Sequence, residues 1–470
     1  MHESVSKGSN FLIVTDTNQK KNSCNYRSQL PFVLLLLLFV LVASGIAIFL
    51  KEGIAPDEIA HFYFSKHFST TLSLPKDNAE TIAFGWHIKH NPFLYHWITG
   101  RIIQVAYMLR PTISDRALLV ILRLFSVGLA TGSLCFLHIT SKRLIHKRWA
   151  QLIPPFLLAN TLMFAFISSA VSYDNLAILF SFAAIYFFVK VFQGEKLVKN
   201  SLWMLLMLGL ACLTKVSALP LACILGIWWL GFLIKNKVPI KKDSLKKSVV
   251  IFIAIILVFT LNIIIYGYNL VKFRSAIPSC PDLFSQQQCE TSEFSDRYKM
   301  FALDKKMSVS ESIEKGYPDP VEYAFYSWTP NMLYRTYGIL AHSSYFPKHN
   351  ITFFYILYIV YLIYAFRIIP KNPNIVFITL LSLVLGYIFV LFLRDYNSEL
   401  VYGFKQIGMH GRYMFSSIGA FYILLAKVLE KGAKSIVAKL ICVTTVILFL
   451  YSGPLSIAIY YSSFFKNWFF

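Results

Sequence analysis

From Leu30 the chain runs LPFVLLLLLFVLVASGIAIFL, twenty-one residues without a charge. Runs of this kind recur along the sequence, and none alternates polar and apolar positions with the period of two that a membrane barrel requires. A spanning helix needs about 20 mostly apolar residues. By that criterion the pattern predicts helical spans near 30–50, 117–139, 151–171, 175–193, 201–213, 217–234, 249–268, 351–369, 375–393, 413–428 and 437–459. The fifth and sixth are short and meet around Lys215, so one bent hairpin is an alternative there. The first run is longer than a signal-peptide core of about 7–15 residues and has no A-x-A site after it, which reads as an uncleaved span.

The segment NPFLYHWITGRIIQVAYMLRP, residues 91–111, is the ambiguous one. As a span it would place Arg101 and Gln104 near mid-bilayer, at high cost. It reads instead as an amphipathic helix on the outer leaflet. The fold expected is therefore all-α and polytopic, with about eleven transmembrane helices. Residues 1–29 form a cytoplasmic N-terminal segment, 30–460 one transmembrane domain with long outer loops at 51–116 and 269–350, and 461–470 a short outer tail.

Composition agrees with a lipid environment. Of 470 residues 56% are hydrophobic and only 14% charged, against about 25% charged in soluble domains. The net charge of +22 would suit a nucleic-acid binder, but its distribution argues otherwise. With the N-terminus inside, the inner segments hold 23 Lys and Arg against five acids, and the outer segments 21 against 18. The run KNKVPIKKDSLKK, residues 235–247, is the strongest single contribution. The charge is an orientation signal of the positive-inside kind, and nucleic acid is excluded as a partner. The expected location is a bacterial plasma membrane with the active face extracytoplasmic.

Candidate chemistry gathers on that outer face. Ala55-Pro56-Asp57-Glu58-Ile59-Ala60-His61-Phe62 follows the first span. Pro followed by acids is also an ordinary helix start. In a helix Asp57 and His61 share a face, whereas Glu58 lies about 100° around from Asp57. An acid at a membrane surface beside apolar residues is a candidate general base. His87, His90 and His96 have a spacing that fits no common zinc pattern. Trp86, Tyr95 and Trp97 around them suit the headgroup zone. Polar residues then mark the outer ends of three spans: Tyr173-Asp174-Asn175, Leu213-Thr214-Lys215 and His410-Gly411-Arg412-Tyr413. Helix capping and snorkelling to headgroups are the structural alternatives for these. Arg335 in MLYRTYG is a further basic candidate. Cys135, Cys212, Cys223 and Cys442 fall in spans as packing residues, and Cys24 lies in the N-terminal segment. Cys280 and Cys289, within CPDLFSQQQC, are candidates for a disulfide in an oxidising exterior.

An acid pair in a long outer loop just after the first span resembles the GT-C superfamily of polytopic glycosyltransferases. Asp57-Glu58-x-x-His61-Phe62 resembles the D-E-x-H-F pattern of protein O-mannosyltransferases, with one extra residue before the His. The order of motifs is closer to a family of predicted bacterial and archaeal membrane proteins related to GT-C enzymes. Their pattern is P-D-E-x-x-H, H-P-P-L-Y-Y, N/S-x-D-N/A, L-T-K and Q-G-R-Y-L-F-P, matched here by Pro56–His61, Asn91–His96, Ser172–Asn175, Leu213–Lys215 and His410–Phe415. Asn91, Phe93 and His410 depart from it.

The resemblance implies an inverting transfer of a sugar from a polyprenyl-phosphate donor to a hydroxyl of a glycan, glycolipid or protein, in cell-envelope assembly. Asp57, with Glu58 beside it, would be catalytic. Arg412, Lys215, Arg335 and His61 would bind the donor phosphate. Asp174 would hold acceptor or metal, and a divalent cation as cofactor is left open. A glycolipid or polysaccharide transporter or flippase is the alternative, though such a protein more often carries its polar groups at mid-bilayer on inverted repeats.

Overall fold

The computed structural model describes residues 29–236, 249–292, 308–315, 319–338, 350–368, 373–402, 410–454 and 468–469. Most of the 1–29 segment, the 237–247 part of the lysine run, Cys24 and most of the tail lie outside them. Among the described residues nine helices are long and apolar enough to cross a membrane. They are Leu30–Phe49, Asp115–Leu144, Asp174–Phe192, Leu197–Thr214, Val216–Lys235, Val249–Phe273, Asn350–Ile368, Ile375–Leu400 and Gly411–Lys431. The other two expected spans differ in form. Arg148–Ala159 and Leu162–Ser168 are bent 66° to one another, and Ile436–Ser452 is a shorter apolar helix of 17 residues.

The bend has a local cause. At the break, the Asn160 side chain donates to the Phe156 carbonyl at 2.9 Å and Thr161 Oγ1 to the Leu157 carbonyl at 2.8 Å. The Leu157 carbonyl, released from the helix ladder where the Thr161 amide turns to Leu158, thus keeps a partner, as an apolar surrounding demands. The Tyr422 hydroxyl, 2.6 Å from Thr161 Oγ1, ties the break to the Phe415–Lys431 helix.

The ambiguous 91–111 segment forms a helix, Leu94–Leu109, that is not among those suited to span. It lies along a second helix of the first loop, Glu58–Ser69. Gly100 permits the approach: a Cβ there would sit 2.8 Å from the Phe68 backbone carbon. Arg101 is not left unpaired in lipid. It donates to Gln104 and to the Thr71 carbonyl, each at 2.6 Å. Ser65 and Thr99 bond across the pair at 2.7 Å, and Lys66 reaches Asp115 at 2.9 Å.

The 269–292 stretch folds back over this layer. Asn269 exchanges hydrogen bonds with His90, to its ring Nδ1 at 2.9 Å and its carbonyl at 2.9 Å. Cys280 and Cys289 are bonded, with Cα atoms 5.8 Å apart. The closed loop packs Phe284 against His87, ring centroids 5.1 Å apart. Phe469 and Leu50 form an isolated antiparallel bridge at the root of the first loop.

Candidate functional site

Asp57 is the last residue before the Glu58–Ser69 helix, where a side-chain cap would be ordinary. It does not cap: no side-chain bond to the helix amides forms, and the backbone is left-handed, φ 58° and ψ 11°. Asp tolerates that region better than most residues, at a cost of about 1–2 kcal/mol. The conformation directs the carboxylate elsewhere. Its Oδ2 accepts from Arg412 Nη2 at 2.5 Å, 355 positions along the chain.

Arg412 stands in a tight 3-10 turn, Gly411–Met414, ahead of the Phe415–Lys431 helix. Gly411 has a steric reason: a Cβ there would meet Thr336 Oγ1 at 2.0 Å. The turn therefore presses on the Thr329–Tyr337 helix, which carries Arg335. Arg412 is 6% exposed while the Asp57 side chain is 33% exposed. The acid opens to a cleft of 440 Å³ whose walls include Gly53, Ile59, Phe84 and Thr291. The guanidinium lies behind it, with Nε and Nη1 buried and, among the described residues, without hydrogen-bond partners.

Lys215 and Asp174 form a second buried ion pair beside the first. Lys215 follows the Leu197–Thr214 helix and Asp174 opens the Asp174–Phe192 helix. Ser172 Oγ donates to the second carboxylate oxygen at 3.2 Å. The ammonium sits between two rings, 4.6 Å from the centroid of Tyr173 and 4.7 Å from that of Tyr413. Arg394 covers the Tyr413 ring at 4.6 Å and bonds Asp395 at 2.7 Å. Arg335 donates to His410 Nε2 at 3.3 Å, so that nitrogen carries no proton. Burial, and then the neighbouring Arg412 charge, push the proton affinity of Arg335 down.

His61 completes the cluster. Its ring lies 4.4 Å from Tyr173, and its Nδ1 is 3.0 Å from His96 Nε2. Burial pushes the His61 imidazole down to about 4, against the opposing pull of Asp57. His96 is pushed well below its ordinary value by burial and then by His61. Both rings are therefore neutral at pH 7. Among the described residues His61 Nε2 is buried without a partner.

Glu58 has a different place. It is fully buried and takes Arg123 through both oxygens, at 2.8 and 2.5 Å, while the Val171 amide donates to it at 3.0 Å. Arg123 directs its remaining N–H groups to the carbonyls of Ala47, Leu50 and Lys51 at 3.1, 2.6 and 3.1 Å. All five guanidinium donors are used. Glu58 is thus enclosed in a structural clamp. Asp57 alone of the two acids meets the Arg412–Lys215 group.

The three span-end motifs, which look separate in sequence, converge around Tyr173 and Tyr413 with Asp57 and His61. The histidines of the first loop diverge instead: His87 packs on Phe284, His90 bonds Asn269, and His96 bonds His61. Among the described residues no group of three or more His, Cys, Asp or Glu side chains is placed to hold a metal. Asp57 and Asp174 each face a side-chain cation in that place.

The family model for dolichyl-phosphate-mannose-protein mannosyltransferases matches residues 30–274, more than half of the chain. The chain belongs to this family. The matched range includes Asp57, Glu58, His61, Asp174 and Lys215, and the match bears out the resemblance to glycosyltransferases. Solved structures of similar form include a protein O-mannosyltransferase complex of S. cerevisiae bound to the sugar donor. It is 18% identical, with a TM-score of 0.37, over 56% of this chain and 36% of its own. ArnT from Cupriavidus metallidurans in the apo state is 12% identical, TM-score 0.42, over 86% and 60%. AglB from Archaeoglobus fulgidus, in complex with an inhibitory peptide and a dolichol-phosphate, is 13% identical, TM-score 0.48, over 90% and 55%. This chain spans 36–60% of the length of these proteins. No curated protein matches it.

Within this family member, sequence reasoning missed Arg123 and Arg394, and named His96 only among the first-loop histidines, without its partner His61. For Arg123 a signal existed: one charge inside an otherwise apolar span is costly and marks a partner. His96 and Arg394 gave none, because their partners lie 35 and 19 residues away.

Proposed function

We propose that this protein is an inverting membrane glycosyltransferase that takes a sugar from a polyprenyl-phosphate donor and places it on an acceptor hydroxyl at the extracytoplasmic face. The observation that carries the reading is the pairing of an accessible acid, Asp57, with a buried cation, Arg412, whose Nε and Nη1 lack partners. Family membership supports the donor class. Asp57 accepts the proton of the acceptor hydroxyl as its oxygen bonds to the sugar C1. The C1–O bond to the lipid phosphate breaks, and that electron pair leaves on the phosphate oxygen. The departing charge needs cations fixed in advance. Arg412 meets it through the donors not engaged with Asp57, and Lys215 and Arg335 lie behind. His61, neutral and held by His96, offers Nε2 to the donor. Asp174 orients Lys215 in this scheme. Acceptors of all three kinds, glycan, glycolipid and protein, fit a hydroxyl-directed site open through the cleft at Asp57.

The test is transfer by purified protein in detergent from a panel of polyprenyl-phosphate sugars, together with the glycans of a bacterial strain lacking the gene. The expected result is a lipid-phosphate product and a missing surface or lipid-linked sugar. Unaltered glycans in the deletion strain, with no turnover across the panel, would overturn the reading.

A further inference from the structure

The segment that delivers Asp57 is held on two sides. On one side Arg123 takes the carbonyls of Leu50 and Lys51. On the other lies a residue more than four hundred positions away. Trp468 accepts the Lys51 amide on its carbonyl at 2.8 Å, and Phe469 bridges Leu50. The Trp468 side chain is 6% exposed and shares an apolar cluster with Leu50, Ala55, Leu162, Phe166 and Ala170. Its ring centroid is 6.3 Å from that of Phe166.

We propose that Trp468 is a positioning residue for Asp57, acting through Lys51 and Ala55. The physical argument is one of restraint. Between Lys51 and Glu58 the chain is a short loop with Gly53 and a left-handed Asp57, both at positive φ. Such a loop has no ladder of its own to fix it. Lys51 is fixed at both its backbone groups, by Arg123 and by Trp468. Ala55 is seated by the indole cluster two residues before Asp57. Glu58 is locked one residue after it. Removing the indole leaves the Glu58 end locked and the Ala55 end loose, so the turn that aims the carboxylate at Arg412 loses its geometry. A misplacement of about 1 Å can cost roughly 10²-fold in rate.

The inference concerns the Asp57 loop and rests on the glycosyltransferase reading only for its kinetic arm. In the full chain, Trp468→Ala is expected to lower kcat at least about tenfold with little change in donor KM, as for a misplaced reacting group. Trp468→Phe, which refills the cluster, is expected to recover most of the loss. Independently of any activity, Ile59→Cys reports the loop through its reaction with a membrane-impermeant maleimide, followed by peptide mass. Adding Trp468→Ala should speed that reaction several-fold, and adding Trp468→Phe should not. If Trp468→Ala prevents purification, Trp468→Leu is measured in the same two ways. Parental labelling rate and parental kcat in the Ala or Leu variant would overturn the proposal. Faster labelling in a chain for which no donor turns over would sustain it and count only against the transferase reading.

Discussion

Arg412 Nη2 lies 2.5 Å from Asp57 Oδ2, joining the first long loop to the tenth apolar run of the chain. This contact separates the two meanings that Asp57 had in sequence. A helix-start acid would bond its own helix; this one does not. Asp57→Asn keeps the shape but cannot accept a proton. Transfer per folded molecule should fall by roughly 10²–10⁴-fold, about 3–5 kcal/mol of barrier. Near-normal turnover at matched expression would remove Asp57 from the chemistry.

Glu58 and Arg123 should answer in the opposite way. Both side chains are fully buried, and taking one charge from a buried pair typically destabilises by about 3–5 kcal/mol. Glu58→Ala and Arg123→Ala are expected to lower folded yield and the thermal midpoint sharply. A Glu58→Gln protein that folds at parental yield yet transfers no sugar would instead return Glu58 to the chemistry.

How far the sequence reaches follows from these two pairs. Among the described residues each of the expected apolar runs lies on helix, because hydropathy is a local property. The outer face expected for Asp57, Asp174, Lys215 and Arg412 rests on the lysine-rich loops expected inside. Partnership is not local. That Asp57 binds Arg412, and Asp174 binds Lys215, depends on helix packing over hundreds of positions. The neighbouring letters Asp57-Glu58 look alike, yet one faces a cleft and the other a sealed clamp. Only the left-handed turn at Asp57 divides them. The bend at Asn160–Thr161 falls where two polar residues interrupt an otherwise apolar run, a mark the hydropathy window averages away.

The buried histidines give a pH dependence of defined sign. His61 has a folded value of about 4 against an ordinary 6.5. Between those values the unfolded chain binds a proton that the folded site refuses, so stability falls as pH is lowered from 6.5 towards 4. Over that window the single-site difference is roughly 3 kcal/mol. His61→Phe should make the fall in melting temperature from about pH 7 to pH 5 shallower. An unchanged slope would show that His61 does not contribute.

The disulfide closes a separation of nine residues, worth about 2–3 kcal/mol in the chain-entropy model. Its effect should stay local. Cys280→Ser with Cys289→Ser is expected to raise amide hydrogen exchange in 280–292, with the Asp115–Leu144 helix unchanged. Free alkylation of both thiols in the native, unreduced protein would show that the bond does not form.

The last expectation is the number of crossings. The first helix ends at Phe49, and the Lys51–Trp468 hydrogen bond brings the chain back to that same side. An even number of crossings must therefore lie between residues 51 and 468. Eight of the nine long apolar helices lie there. The bent pair adds one: Asp115–Leu144 begins at the Lys66 contact and runs away from the first loop, and the pair then leads back to Val171, which binds Glu58. The parity closes only if Ile436–Ser452 crosses as well, which makes eleven. Two of its neighbours fix the sides. The Lys431–Ser435 turn should then be cytoplasmic together with residues 235–247, where the lysines gather, and Asp57, Cys289 and Trp468 should be external. Reporter fusions after Lys434 and after Lys242, and cysteine labelling at Ile59 and Phe469, check each side separately. External signal from Lys242 would invert the orientation and place the Asp57 cleft in the cytoplasm. Opposite sides for Ile59 and Phe469 would break the contact on which the count of eleven depends.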